Sequence, residues 1–182
     1  MHDIKRQAGI AAVLSSILAT GLAVQLDAQP DQLSETYRDW VVSCRSVASE
    51  DGNGPQRFCE MSQELRQQEG GQRVLSITLL RDRTDDDALM TLVVPFGLNV
   101  RDDTIISVGD HMLPAVPFET CLPRGCIAGI RLAEPEIEVL RRGEKALIAL
   151  PMLSEATLDL TVSLMGFTAA WARLGELVSA RD

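Results

Sequence analysis

The sequence predicts a mainly β protein: a single-domain β-sandwich or small barrel with two short helices and two local disulfides. Three observations point there. Short apolar runs with period-two alternation, rich in β-branched residues, recur between residues 39 and 163 and are broken by Gly-, Pro- and Asp-bearing turns. Four cysteines form two sequence-local pairs, Cys44 with Cys59 and Cys121 with Cys126, each spanning one expected hairpin. Only residues 135–142 and 167–178 carry a helical pattern.

In chain order, residues 29–37 are polar and read as a flexible leader. Residues 39–44 form a first strand with Trp40, Val42 and Cys44 on one face. A loop dense in turn formers, 49–55, leads to a second strand at 58–65, with Cys59, Met61 and Leu65 sharing a face. A bridge between Cys44 and Cys59 would therefore point inward. Residues 74–80 and 88–94 make a hairpin around an acidic loop, ended by Pro95-Phe96-Gly97. A short strand at 104–108 precedes the hairpin 116–132, whose tip is Cys121-Leu122-Pro123-Arg124-Gly125-Cys126. The stretch 135–142 has proline at its start, acids in its first turn, arginines in its last and Gly143 as a stop, which is a helix. Strands at 146–150 and 157–163 come next. Phe167, Ala170, Trp171, Leu174 and Val178 then recur at helical spacing, giving an amphipathic closing helix.

The beginning of the chain addresses it for export. Lys5 and Arg6 precede an uncharged stretch, 8–24, and small residues end at Ala28. A basic region, an apolar region and a small residue at the cut are the parts of a signal peptide, here expected over residues 1–28, with a cut after Ala23 as the alternative. The stretch is short and diluted by Ala, Ser, Thr and Gly, so no stable membrane span is expected after cleavage. The domain proper is 38–180. A formal net charge of −9 argues against the phosphate-neutralising surface of a nucleic-acid binder, and against docking on anionic lipid.

Four cysteines in an exported chain indicate two disulfides rather than a metal site. They allow three connectivities, and proximity favours Cys44–Cys59 with Cys121–Cys126. Neither spacing suits zinc, and His111 is the single histidine beyond the signal segment, so neither metal nor cofactor is expected. A redox dithiol would want C-x-x-C at a helix N-terminus, whereas four residues separate Cys121 and Cys126 and their flanks read as strands. Counting from Asp82, the sixth and twelfth positions of an EF-hand would be Asp87 and Val93, which do not fit calcium. His111 lacks a nucleophile-elbow signature, and Glu60 and Glu64 read as a wet sheet face. No catalytic constellation emerges.

Five segments together resemble the invasion-associated locus B family of exported bacterial proteins. They are Trp40-Val-Val-Ser-Cys44, Cys59-Glu-Met-Ser-Gln63, Pro95-Phe-Gly-Leu98, Phe118-Glu-Thr-Cys-Leu-Pro-Arg-Gly-Cys126 and Val162-Ser-Leu-Met-Gly-Phe167, in the family's order. The resemblance implies one all-β domain in the periplasm or envelope with two local disulfides, and a role in the envelope or in host-cell interaction. It brings no catalytic residues. The expectation is thus an exported, non-enzymatic binding or envelope-support module. Its partner is an unknown protein or envelope component, met by the tip residues Leu122, Pro123, Arg124 and Gly125. The alternative is a periplasmic thiol–disulfide redox protein using Cys121 and Cys126.

Overall fold

The computed structural model describes residues 32–48, 54–81 and 87–179. The expected signal peptide, most of the loop at 49–55 and the acidic residues Asp82, Asp85 and Asp86 lie outside them. Among the described residues eleven strands and two helices succeed one another: β1 Gln32–Tyr37, β2 Trp40–Val47, β3 Gln56–Arg66, β4 Arg73–Arg81, β5 Ala88–Val94, β6 Ile105–Val108, β7 His111–Met112, β8 Phe118–Leu122, β9 Gly125–Leu132, α1 Glu134–Arg142, β10 Lys145–Pro151, β11 Thr157–Ser163 and α2 Phe167–Ser179. The fold is mainly β, as the alternation implies. It is sandwich-like rather than a closed barrel, with a seven-stranded sheet ordered β1-β2-β3-β4-β5-β9-β8 and a four-stranded sheet ordered β11-β10-β6-β7.

Residues 32–37 correct the expectation of a flexible leader. They form β1, paired antiparallel with β2 from Gln32↔Arg45 to Tyr37↔Trp40. Their composition is polar because β1 is an edge strand, with Leu33 and Tyr37 alone packing against the core. Edge strands need little apolar content, since one ladder and one face hold them. Side-chain partners supply the rest. Arg173 on α2 grips Glu35 with Nε at 2.8 Å and Nη2 at 2.9 Å, and the Tyr37 hydroxyl donates to the same carboxylate at 2.8 Å. That fork of donors is the geometry a guanidinium presents best.

Inside, the period-two patterns behave as read. Trp40, Val42 and Cys44 from β2 face Cys59 and Met61 from β3, and all are buried with Leu75, Ile77 and Leu79 of β4 and Met90 and Leu92 of β5. Helix α2 packs over β1 to β4, laying Phe167 edge-on against Trp40 with ring centroids 5.2 Å apart, and stacking Trp171 on Phe167 at 6.4 Å. Arg81 lies over the Trp171 ring at 4.8 Å. Helix α1 has Pro135 within its first turn, and the Glu136 carboxylate accepts the Ala133 N–H at 3.1 Å. Such a contact satisfies one of the N–H groups at a helix start, which have no partner within the helix itself.

The two sheets are tied by polar atoms in an otherwise apolar interior. Gln63 on β3 is buried, and its amide copies a neighbouring strand: Nε2 donates to the Ser163 carbonyl at 3.0 Å, and Oε1 accepts the Ser163 N–H at 3.2 Å. The Trp40 indole Nε1 donates to the same carbonyl at 3.0 Å. Beside this junction Gly166 has φ +90, and a Cβ there would collide with the Tyr37 carbonyl oxygen, so only glycine permits the approach.

The junction and the edge strand can each be tested. Gln63→Leu strands the Ser163 N–H and leaves the carbonyl to the Trp40 indole alone, and chemical denaturation with the disulfides intact should show a loss of about 1–3 kcal/mol. Gln63→Glu should cost more at neutral pH than in mild acid, because the charged form aims a carboxylate oxygen at the Ser163 carbonyl. Separately, hydrogen bonds from Arg173 first and Tyr37 second hold the Glu35 carboxyl below its ordinary value. A lowered folded value means that stability is present above the ordinary carboxylate range and is lost as pH falls through the folded value. Melts of the wild type and Glu35→Gln from about pH 7 to about pH 3 should therefore converge at the acid end.

Candidate functional site

The stapled tip is the place the sequence singles out, and its geometry arises from the register of β8 and β9. Cys121 and Cys126 stand directly opposite each other and are joined, with Cα atoms 3.9 Å apart. Cys44 and Cys59 are likewise opposite on β2 and β3 and joined, with Cα atoms 4.0 Å apart. Of the three connectivities the proximal one is formed, and no cysteine is free. The two bridges differ in surroundings. Both sulfurs of the first belong to buried residues, whereas the second links buried Cys126 to exposed Cys121 at the surface.

Between the latter cysteines, Leu122, Pro123 and Arg124 are exposed and Gly125 is buried. Gly125 has φ +137, and an added Cβ would collide with the Val94 carbonyl oxygen, so the turn is pressed onto the end of β5. Arg73 Nη2 donates to the Arg124 carbonyl at 3.3 Å, which braces the turn from β4. A hollow of about 410 Å³ lies alongside, walled by Arg73, Val94, Pro95, Phe96, Pro123 and Arg124. Leu122 at 50% and Phe96 at 59% exposure put two large apolar side chains at this end of the molecule. The tip is thus a braced, partly apolar projection rather than a loose loop.

Two larger clefts lie elsewhere, and neither was legible from motifs. One, of about 620 Å³, runs between α1 and the β6–β7 turn and includes His111, Glu138, Val139, Arg142, Glu144 and Lys145. Glu138 there is engaged by Arg142 at 2.7 Å and Arg141 at 3.0 Å. The other, of about 720 Å³, lies between the end of β3 and β11 and includes Asp39, Gln63, Glu64, Lys145, Thr161 and Ser163. Glu144 and Lys145 border both. The carboxylates read as a wet sheet face are ion-paired: Glu60 with Arg45 at 3.8 Å, Glu64 with Arg66 at 2.6 Å and with Arg73 at 3.6 Å. Among the described residues, no group of three His, Cys, Asp or Glu side chains is placed to hold a metal ion. No described helix is long and apolar enough to cross a membrane.

Comparison with known proteins agrees with this architecture. A family model described as invasion associated locus B (IalB) protein matches residues 40–175. Invasion protein B homologs of Brucella abortus strain 2308 and of Brucella abortus biovar 1 strain 9-941 are each 33% identical over 165 residues, covering 90% of this chain and 90% of the relative. The crystal structure of invasion associated protein B from Bartonella henselae superposes with a TM-score of 0.70 at 27% identity, covering 80% of this chain and 96% of that one. The match spans both sheets and both helices, and the chain belongs to the invasion-associated locus B family.

Proposed function

We propose that this protein is exported by its N-terminal segment and works in the cell envelope as a non-enzymatic binding module. The observation that carries the reading is the pairing of all four cysteines into two cross-strand disulfides, in a chain whose first residues have the layout of an export signal. Glutathione and thioredoxin keep such thiols reduced in a cytosol, so stable cystines favour the periplasm or the outside of the cell. The relatives named for invasion bring a link to host cells into the proposal, together with an envelope component or another protein as the partner. Binding at the stapled tip is supported by its form. It is braced by Arg73 and Val94 and offers Leu122, Pro123 and Arg124 outward, so little ordering entropy is lost when it is engaged.

The redox alternative finds no support in the geometry. Cys121 and Cys126 sit on paired strands, not at a helix N-terminus of the kind that lowers a thiol's pKa in dithiol enzymes. The reduction potential of the pair should accordingly lie below about −300 mV, in the structural range.

Expression of the full chain in a Gram-negative host, followed by fractionation and intact-mass measurement with alkylation, tests export. The expected species begins at Gln29, sits in the periplasmic or envelope fraction and takes up alkylating agent only after reduction. Full-length protein in the cytosol with reactive thiols would overturn the proposal. For the tip, Leu122→Asp should leave stability within about 0.5 kcal/mol, as an exposed position allows. It should also remove envelope crosslinks that the wild type makes. Unaltered crosslinks would place the contact elsewhere.

A further inference from the structure

The edge strand β11 carries backbone groups that no strand among the described residues pairs with. Its phase against β10 is set by the Leu164 N–H donating to the Glu144 carbonyl at 2.9 Å and the Met152 N–H donating to the Ala156 carbonyl at 2.9 Å. With the register Ala146↔Val162, Ile148↔Leu160 and Leu150↔Leu158, the even-numbered residues of β11 are the hydrogen-bonded ones. The N–H and C=O groups of Thr157, Asp159, Thr161 and Ser163 must then point away from β10. At Ser163 those groups are taken by the Gln63 amide and the Trp40 indole. From Thr161 back to Thr157 the sheet order places no strand alongside them among the described residues.

Gln63 therefore begins, with a side chain, a ladder that the rest of β11 is laid out to continue. The cleft of about 720 Å³ flanks the start of this edge, with Thr161 and Ser163 on one side and Gln63, Glu64 and Leu65 on the other. Two other edges are less open to pairing: β8 shifts register between Phe118 and Thr120, and β7 has two residues. The charge around β11 has a sign. Among the described residues, Asp39 and Glu144 in the cleft lining and Asp159 on the strand are in no ion pair, and Lys145 is the one cation that lines the cleft.

We propose that the free edge of β11 is a strand-addition site for a basic, extended segment of a partner protein, whose backbone pairs with Thr157, Asp159 and Thr161. Main-chain pairing supplies affinity at such an edge, while side-chain complementarity supplies choice of partner. Here the complement is positive charge. The inference rests on the reading of the protein as a binding module and names a second surface for it, apart from the tip. Failed export would remove that reading, whereas failed strand addition leaves it standing with its contact at the tip.

The test uses end-blocked peptides of alternating lysine and valine, with a glutamate–valine peptide of equal length, and amide hydrogen exchange read residue by residue on the mature protein. The lysine peptide should slow exchange at Thr157, Asp159 and Thr161. Asp159→Pro deletes one outward N–H without touching the β10 ladder, and proline is tolerated where an edge N–H faces solvent. It should weaken binding at least about tenfold, the scale of one or two lost hydrogen bonds. Should Asp159→Pro misfold, a lysine peptide N-methylated at alternate residues makes the same cut from the other side and should bind the wild type at least about tenfold more weakly. Protection confined to another surface, or undiminished binding of the N-methylated peptide, would overturn strand addition. Equal affinity for the glutamate peptide would overturn the basic partner.

Discussion

Everything in this fold is arranged about one backbone carbonyl, that of Ser163. It ends β11, belongs to the smaller sheet, and accepts hydrogen bonds from two side chains of the larger one, Trp40 Nε1 and Gln63 Nε2. A carbonyl buried without partners costs free energy on the scale of a lost hydrogen bond, so the end of β11 can be interior only where these donors stand. Its position then dictates the path of the chain beyond it. Leu164 is drawn into the core, Gly166 turns at positive φ against the Tyr37 carbonyl, and Phe167 opens α2 edge-on to Trp40. The helix axis is set by that turn, and with it the reach of Arg173 to Glu35 on the outermost strand. One polar junction thus aligns two sheets, a helix and an edge.

Much of this was legible in the sequence because the governing signals are local. Period-two burial is written into β2 to β5, and each disulfide joins residues that a hairpin brings opposite. Proline, acids, arginines and Gly143 bound α1 where the capping rules place it. What escaped was non-local. Strand β1 has too little apolar content to announce itself, and its evidence is the Arg173–Glu35 pairing, 138 residues apart. Gln63 looked like one more polar residue at the end of a strand. On parity it belongs with Cys59 and Met61 on the inward face, and a glutamine there is the signal that could have marked it. A buried amide is retained where its whole hydrogen-bonding capacity is met, and no pattern along the chain says by what.

The segments that resemble the family turn out to be neighbours in space. Trp40, Cys44, Cys59, Gln63, Ser163, Gly166 and Phe167 come from three of the five, and they build the junction around the Ser163 carbonyl together with the inner disulfide. The other two converge at the opposite hairpin, where Gly125 presses on the end of β5 and Pro95 and Phe96 stand beside Pro123. The motifs are therefore two knots of the fold, one polar and internal, one cystine-bound and superficial. This explains why they identify the architecture so well.

If the recognisable residues hold the scaffold, the second surface proposed for a partner, apart from the tip, lies at positions that carry no motif. An open strand edge suits that division. Its affinity comes from main-chain groups that any sequence supplies, so the residues of β11 are free to vary on the outward face while Ser163 keeps the strand in place. An edge left open is also a route to aggregation, which natural sheets restrain with short strands and charge. β11 has two restraints: Gln63 closes one end, and Asp159 sits in the middle. A net charge of −9 extends the restraint to the whole molecule, since two copies repel each other before their edges can meet. The same charge leaves a basic strand as the kind of partner to which the edge stays open.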